Sequence, residues 1–128
     1  MAALNLEVVP GTFAVTKLAA DSPTPDWATR GSFTSVTRTT EELSIVCQEE
    51  NVPADLKSER SWRCLRVARK LEFAMVGVIT SLAIPLADAG ISVFVISTFD
   101  TDYLLIKTVE FQRAVRALRR FGHGVKLT

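Results

Sequence analysis

Within the run Ile91 to Lys107, Ile-Ser-Val-Phe-Val-Ile-Ser-Thr-Phe-Asp-Thr-Asp-Tyr-Leu-Leu-Ile-Lys, the side chains able to do chemistry gather at the centre. They are the hydroxyls of Ser97, Thr98 and Thr101 and the carboxylates of Asp100 and Asp102. Two carboxylates this close suit acid–base work or a metal, but a metal needs further ligands. The only histidine, His123, lies beyond the second expected helix and reads most simply as a surface residue. Ser97 has no glycine-framed elbow around it, so it does not read as a nucleophile. No nucleophile, base and orienting group stand together, and the sequence argues against an enzyme, a metal or a cofactor. The group suits a small polar ligand better. Asp102 reads either as an anchor for that ligand or as a turn residue bonding its own backbone.

Composition and charge narrow the partners. In 128 residues, 48% are hydrophobic and 23% charged, which is an ordinary globular balance. A formal net charge of +1 gives no reason to expect nucleic acid or an anionic membrane. Lys107 to Thr128 holds six basic residues against Glu110 alone, yet no exposed-aromatic RNA-binding motif accompanies them, and a solvated face is expected. Cys47 and Cys64, 17 positions apart in apolar runs, read as reduced core residues. The opening Met-Ala-Ala-Leu-Asn-Leu-Glu lacks the basic and apolar regions of a signal peptide, and no apolar run is long enough to span a bilayer. A cytoplasmic location is expected.

The elements that position the polar group read as follows. Leu4 to Val9 and Thr12 to Leu18, separated by Pro10-Gly11, suggest an opening hairpin. Pro25 to Arg30 allows one short helix before Gly31, with Trp27 as a core plug. Ser32 to Thr39 and Leu43 to Gln48 read as strands, and the charged Glu49 to Ser61 as a connector. Trp62 to about Leu71 is a strand with one wet side. In Met75 to Gly90 the apolar Val78, Ile79, Leu82, Ala83, Leu86 and Ala89 recur at helical spacing. Pro85 falls inside that helix and deprives the Ser81 carbonyl of its partner, which the Ser81 hydroxyl or solvent must then serve.

Ile91 to Phe99 and Tyr103 to Lys107 are two strands around the Asp100-Thr101-Asp102 hinge. Thr108 is the expected N-cap of a helix from Val109 to Phe121 that buries Phe111, Val115 and Leu118. Its arginines 113, 116, 119 and 120 face away, and Gly122 closes it. His123 to Leu127 reads as a last short strand. The fold class is α+β: a ferredoxin-like βαββαβ unit over 61–128, preceded by a degenerate, mostly β half over 1–60, the two packed as one compact unit.

Gly77-Val-Ile-Thr-Ser-Leu-Ala-Ile-Pro-Leu-Ala-Asp-Ala-Gly-Ile-Ser-Val93 resembles the helix signature of ACT domains, small regulatory modules that bind amino acids. The next stretch narrows the likeness. Ser97, Thr98, Phe99 and Asp102 match the Ser-Thr-aromatic-x-x-Asp hinge of bacterial stand-alone ACT-like proteins related to the CASTOR arginine sensors of eukaryotes. Ser35 to Val46 is also similar to the first half of that group, so the resemblance runs from about Phe33 to Leu118.

The resemblance implies a free amino acid held at an ACT-to-ACT interface in a homodimer. Ser92 and Val93 would meet its carboxylate, Asp102 its ammonium group, and Gly77 would leave room beside the helix start. Thr98, Phe99 and Thr101 would line the side-chain pocket. The eukaryotic sensors carry two ACT pairs in one chain, whereas this chain has one strong unit and one weak one, so arginine specificity is not implied. The alternative is a structural or interaction module without a small ligand.

Overall fold

Asn5–Leu18 form a single strand, β1, in place of the hairpin expected around Pro10-Gly11. Proline costs an extended strand only one N–H, and Gly11, at φ 100°, takes the local departure from extended backbone without reversing the chain. Residues beyond it pair elsewhere: Phe13 to Leu18 lie antiparallel to Gln48 to Leu43. The computed structural model describes residues 3–68 and 76–127, and the chain forms two units. One comprises Met1–Pro10 with Arg63–Thr128, the other Gly11–Trp62. The first ten residues, assigned to the N-terminal half by sequence, thus belong to the C-terminal unit.

In the unit of Gly11–Trp62, β2 (Ser35–Arg38) and β3 (Leu43–Gln48) form a hairpin against the second portion of β1. The expected strand from Ser32 to Thr39 is shortened at both ends. Thr39 turns the chain, its Oγ1 accepting from the N–H groups of Glu41 and Glu42. Ala14, Ala28, Leu43, Ile45, Cys47 and Val52 make the core, and Trp27, on a 3₁₀ turn at Asp26–Thr29, packs against it as a partly buried plug. The expected connector carries another 3₁₀ turn at Glu49–Asn51 before β4 begins.

In the other unit, the portion of β4 (Ser58–Val67) from Arg63 onward, β5 (Phe94–Ser97) and β6 (Asp102–Lys107) lie in the order β1-β4-β6-β5. The short β7 (Gly124–Lys126) pairs parallel with β1, Asn5 opposite Gly124. A βαββαβ unit by itself would set its last strand beside its first; here β1 stands between β7 and β4. Aliphatic residues at alternate positions, Leu4 just before β1 and Leu6 in it, Leu65 and Val67, Leu104 and Ile106, meet Leu82 and Leu86 of helix α1 and Phe111, Val115 and Leu118 of helix α2.

Helix α1 runs Val78–Asp88, so Met75, expected inside it, lies outside the described residues, as do the last residues of the strand expected to reach Leu71. Gly90, at φ 73°, supplies the expected stop. Helix α2 runs Phe111–Phe121 after a 3₁₀ turn at Thr108–Glu110, which displaces the expected N-cap: Glu110, not Thr108, precedes the helix, and it pairs with Arg113. His123 corrects a further expectation. It is 5% exposed, and both ring nitrogens are engaged, with Nδ1 accepting from Leu4 N–H and Nε2 facing the Ser81 carbonyl.

Candidate functional site

The hinge is a four-residue turn closed by its own threonines. Thr98 N–H donates to the Thr101 carbonyl at 2.8 Å, as does the Thr98 hydroxyl at 3.1 Å, while Thr101 N–H donates to Thr98 Oγ1 at 3.3 Å. A second tie comes from Thr101, whose buried hydroxyl donates to the carbonyl of Val67, the last residue of β4, at 2.9 Å. This arrangement follows from the types of residue: short hydroxyl side chains offer the backbone partners that a tight turn otherwise lacks. The two residues at its tip, Phe99 and Asp100, stand exposed.

Asp102 opens β6 opposite Ser97, the last residue of β5. Ser97 Oγ donates to Asp102 Oδ1 at 2.6 Å, in the short range of a charge-assisted bond. The carboxyl-bearing residue is only 8% exposed, yet Oδ2 remains a second acceptor position beside the turn. Of the two readings open in sequence, bonding to its own backbone is replaced by bonding to the opposite strand. Ser97 is what sequence reasoning left without a role. The signal was present in the spacing: residues five apart across a four-residue turn are directly opposed in an antiparallel pair.

Gly77 precedes α1 in the left-handed conformation, φ 78° and ψ 4°, where a side chain would be strained. Its carbonyl accepts from Ser81 N–H, and the first turn of α1 presents free N–H groups and the positive end of the helix dipole there. Ser92, exposed, and Val93, half-buried, immediately precede β5. Five strand steps separate Val93 from Thr98, about 16 Å. The eleven residues of α1 separate Ser92 from Gly77 by a similar length, about 16 Å. The seven residues singled out in sequence therefore fall into groups: Thr98, Phe99, Thr101 and Asp102 together at the hinge, Gly77 at the start of α1, and Ser92 with Val93 at the far end of both elements. One chain does not bring the expected carboxylate and ammonium contacts together.

Among the described residues no group of histidine, cysteine, aspartate and glutamate side chains has the placement to hold a metal. Arg66 on β4 pairs with Glu7 on β1 at 2.7 Å, and that hydrogen bond, with a further one to Tyr103, holds the guanidinium firmly charged. Burial raises the thiol of Cys64 to about 12 and raises Cys47 as well, the latter opposed by Arg60, so both read as core residues.

The model of the ACT domain family matches residues 57–120, half of the chain, and a separate N-terminal domain model matches 11–55. The chain belongs to the ACT domain family. A solved structure of a protein from Agobacterium tumefaciens is 34% identical and superposes with a TM-score of 0.95, covering 100% of this chain and 96% of that one. The human cytosolic arginine sensor for mTORC1 subunit 1 is 31% identical over 115 residues, 84% of this ACT protein but only 34% of the sensor, so the chain spans about a third of that relative. The ligand-free regulatory subunit of aspartate kinase from Thermus thermophilus shares the fold alone, at 11% identity and TM-score 0.62, with 94% of this chain and 99% of that one covered. Of these, the human relative is named as an arginine sensor. In this ACT protein, β1 and β7 supply strands outside the segment that the family model matches. No described helix is long and apolar enough to cross a membrane.

Proposed function

We propose that this ACT protein is a cytoplasmic, non-enzymatic sensor that binds a free amino acid between two copies of the chain. The observation that carries the reading is the separation of Ser92 and Val93 from the hinge. Val93 and Ser92, suited to a carboxylate, stand four and five strand steps, about 13 and 16 Å, from Ser97, which lies opposite the buried Asp102 carboxylate suited to an ammonium group. An amino acid spans far less than that, so a second copy must bring one group to the other. Ser92 and the Val93 N–H then hold the carboxylate, and Asp102, steadied by Ser97, holds the ammonium. Gly77 gives access beside α1. Phe99, 72% exposed at the turn tip, faces the ligand side chain, while Thr98 and Thr101 fix the turn that presents it. The likeness to the human arginine sensor supports the ligand class.

Thermal melting of the purified protein against the twenty amino acids tests this. A ligand at a hundred times its dissociation constant stabilises the folded state by about 2.7 kcal/mol, a shift of several degrees. A selective shift that Asp102→Asn removes is the expected result. A flat panel at millimolar concentrations would sink the proposal and favour the module that pairs with a protein and binds nothing small.

A further inference from the structure

Helix α2 lies beside a groove that shares no residue with the hinge. This open groove of about 490 Å³ lies along the helix flank, where Arg63, Arg116 and Arg119 surround the exposed Leu127 and the edges of the largely buried Phe111 and Val115. Among the described residues no carboxylate lines it. Two of the three guanidinium groups are held in place: Arg63 lies over the Phe111 ring, its Cζ 4.4 Å from the centroid, and Arg119 Nη2 donates to the Val125 carbonyl at 2.6 Å. Among the described residues none of the three arginines forms an ion pair, whereas Arg113 on the same helix is taken up by Glu110. The charge is segregated along the chain. Residues 107–128 carry six basic side chains and one acidic, the remainder nine basic and thirteen acidic.

We infer that this groove docks an acidic peptide segment of a partner protein, one in which carboxylates flank an apolar side chain. The chemistry selects each part of that description. Guanidinium groups that have no carboxylate partner among the described residues select carboxylates. The apolar lining between them selects a central hydrophobic residue. Phe111 to Arg119 covers eight helical steps, about 12 Å, which an extended peptide crosses in about four residues. An open trough of that length suits a chain passing through it better than a small molecule, which an enclosed pocket would surround.

The test uses the whole protein and a fluorescein-labelled pentapeptide, Asp-Glu-Leu-Glu-Asp, followed by fluorescence anisotropy. Saturable binding is expected, weakened by added salt and about tenfold by Arg116→Glu. The neutral Asn-Gln-Leu-Gln-Asn and the apolar-deficient Asp-Glu-Gly-Glu-Asp should each bind less well. Asp102→Asn should leave the peptide affinity unchanged, which separates this surface from the amino-acid site. The inference is overturned by absent binding, by equal affinity for the neutral peptide, by indifference to Arg116→Glu, or by tighter binding of a five-nucleotide oligouridylate. That last result would make the surface a nucleic-acid site instead.

Discussion

His123 Nε2 lies 2.8 Å from the carbonyl of Ser81, the carbonyl that Pro85 leaves without a helical partner. Because Nδ1 accepts from Leu4 N–H at 3.0 Å, the neutral ring carries its proton on Nε2 and donates it to Ser81. The Ser81 hydroxyl turns instead to the Val78 carbonyl at 2.8 Å. One buried imidazole thus satisfies the proline-broken turn of α1 and the start of the chain, from a position just after α2. An orphaned carbonyl at a site only 2% exposed would otherwise cost the fold its full desolvation.

Replacing this histidine is therefore expected to destabilise strongly. His123→Ala leaves a buried N–H and a buried C=O unserved and should lower unfolding stability by about 3 kcal/mol. Pro85→Ala returns an N–H that can reach the Ser81 carbonyl. In urea unfolding, the double variant should lose measurably less than the two single losses added together. Strict additivity would show that the two residues do not share the carbonyl.

The hinge should loosen when its buried tie is cut. Thr101→Val keeps the shape but removes the donor to the Val67 carbonyl, at an expected cost of about 1.5 kcal/mol with an unchanged denaturant slope. If the turn presents Asp102 to the ligand, affinity for the amino acid found by melting should fall as well. Unchanged stability would mean that the Val67 carbonyl is served equally well by water.

If two copies share the proposed site, mixtures of variants carry its signature. Ser92→Tyr, at an exposed position, should block the carboxylate side, and Asp102→Asn the ammonium side, so that neither protein binds alone. Co-refolded in equal amounts, half of the dimers are mixed and each mixed dimer rebuilds one of two sites, restoring about a quarter of the binding capacity. Calorimetric titration measures it. No recovery would place both groups in one chain and contradict the two-copy arrangement.

The buried thiol of Cys64 makes stability depend on alkaline pH. Burial favours the neutral thiol and raises its folded value from 9.0 to about 12, so the folded state holds its proton more tightly than the unfolded chain. The resulting stabilisation is present in full below pH 9 and is lost progressively as the pH rises towards 12. Urea unfolding should show this decline, and Cys64→Ala should flatten it. In the native protein neither Cys64 nor Cys47 should react with iodoacetamide at pH 8, while both should react in urea.

Residue type and spacing alone determined much of this protein. Alternation marked β3 at its observed bounds, helical periodicity and Gly90 marked α1, and Phe111, Val115 and Leu118 marked the buried face of α2. The polar run around Asp102 was legible because turns need hydroxyls and carboxylates in sequence order. These are local signals, carried by neighbours a few positions apart. What the tertiary structure decided involves partners far apart in the chain. Pro10-Gly11 reads as a turn, yet the strand runs through it because β3 and β7 offer partners to its two portions. His123 reads as a surface residue, yet it is buried because Leu4, 119 positions away, and Ser81, 42 away, present a donor and an acceptor that a single ring can satisfy at once. Periodicity carries no record of such distant complementarity, since it depends on which backbone groups the folded chain leaves unpaired.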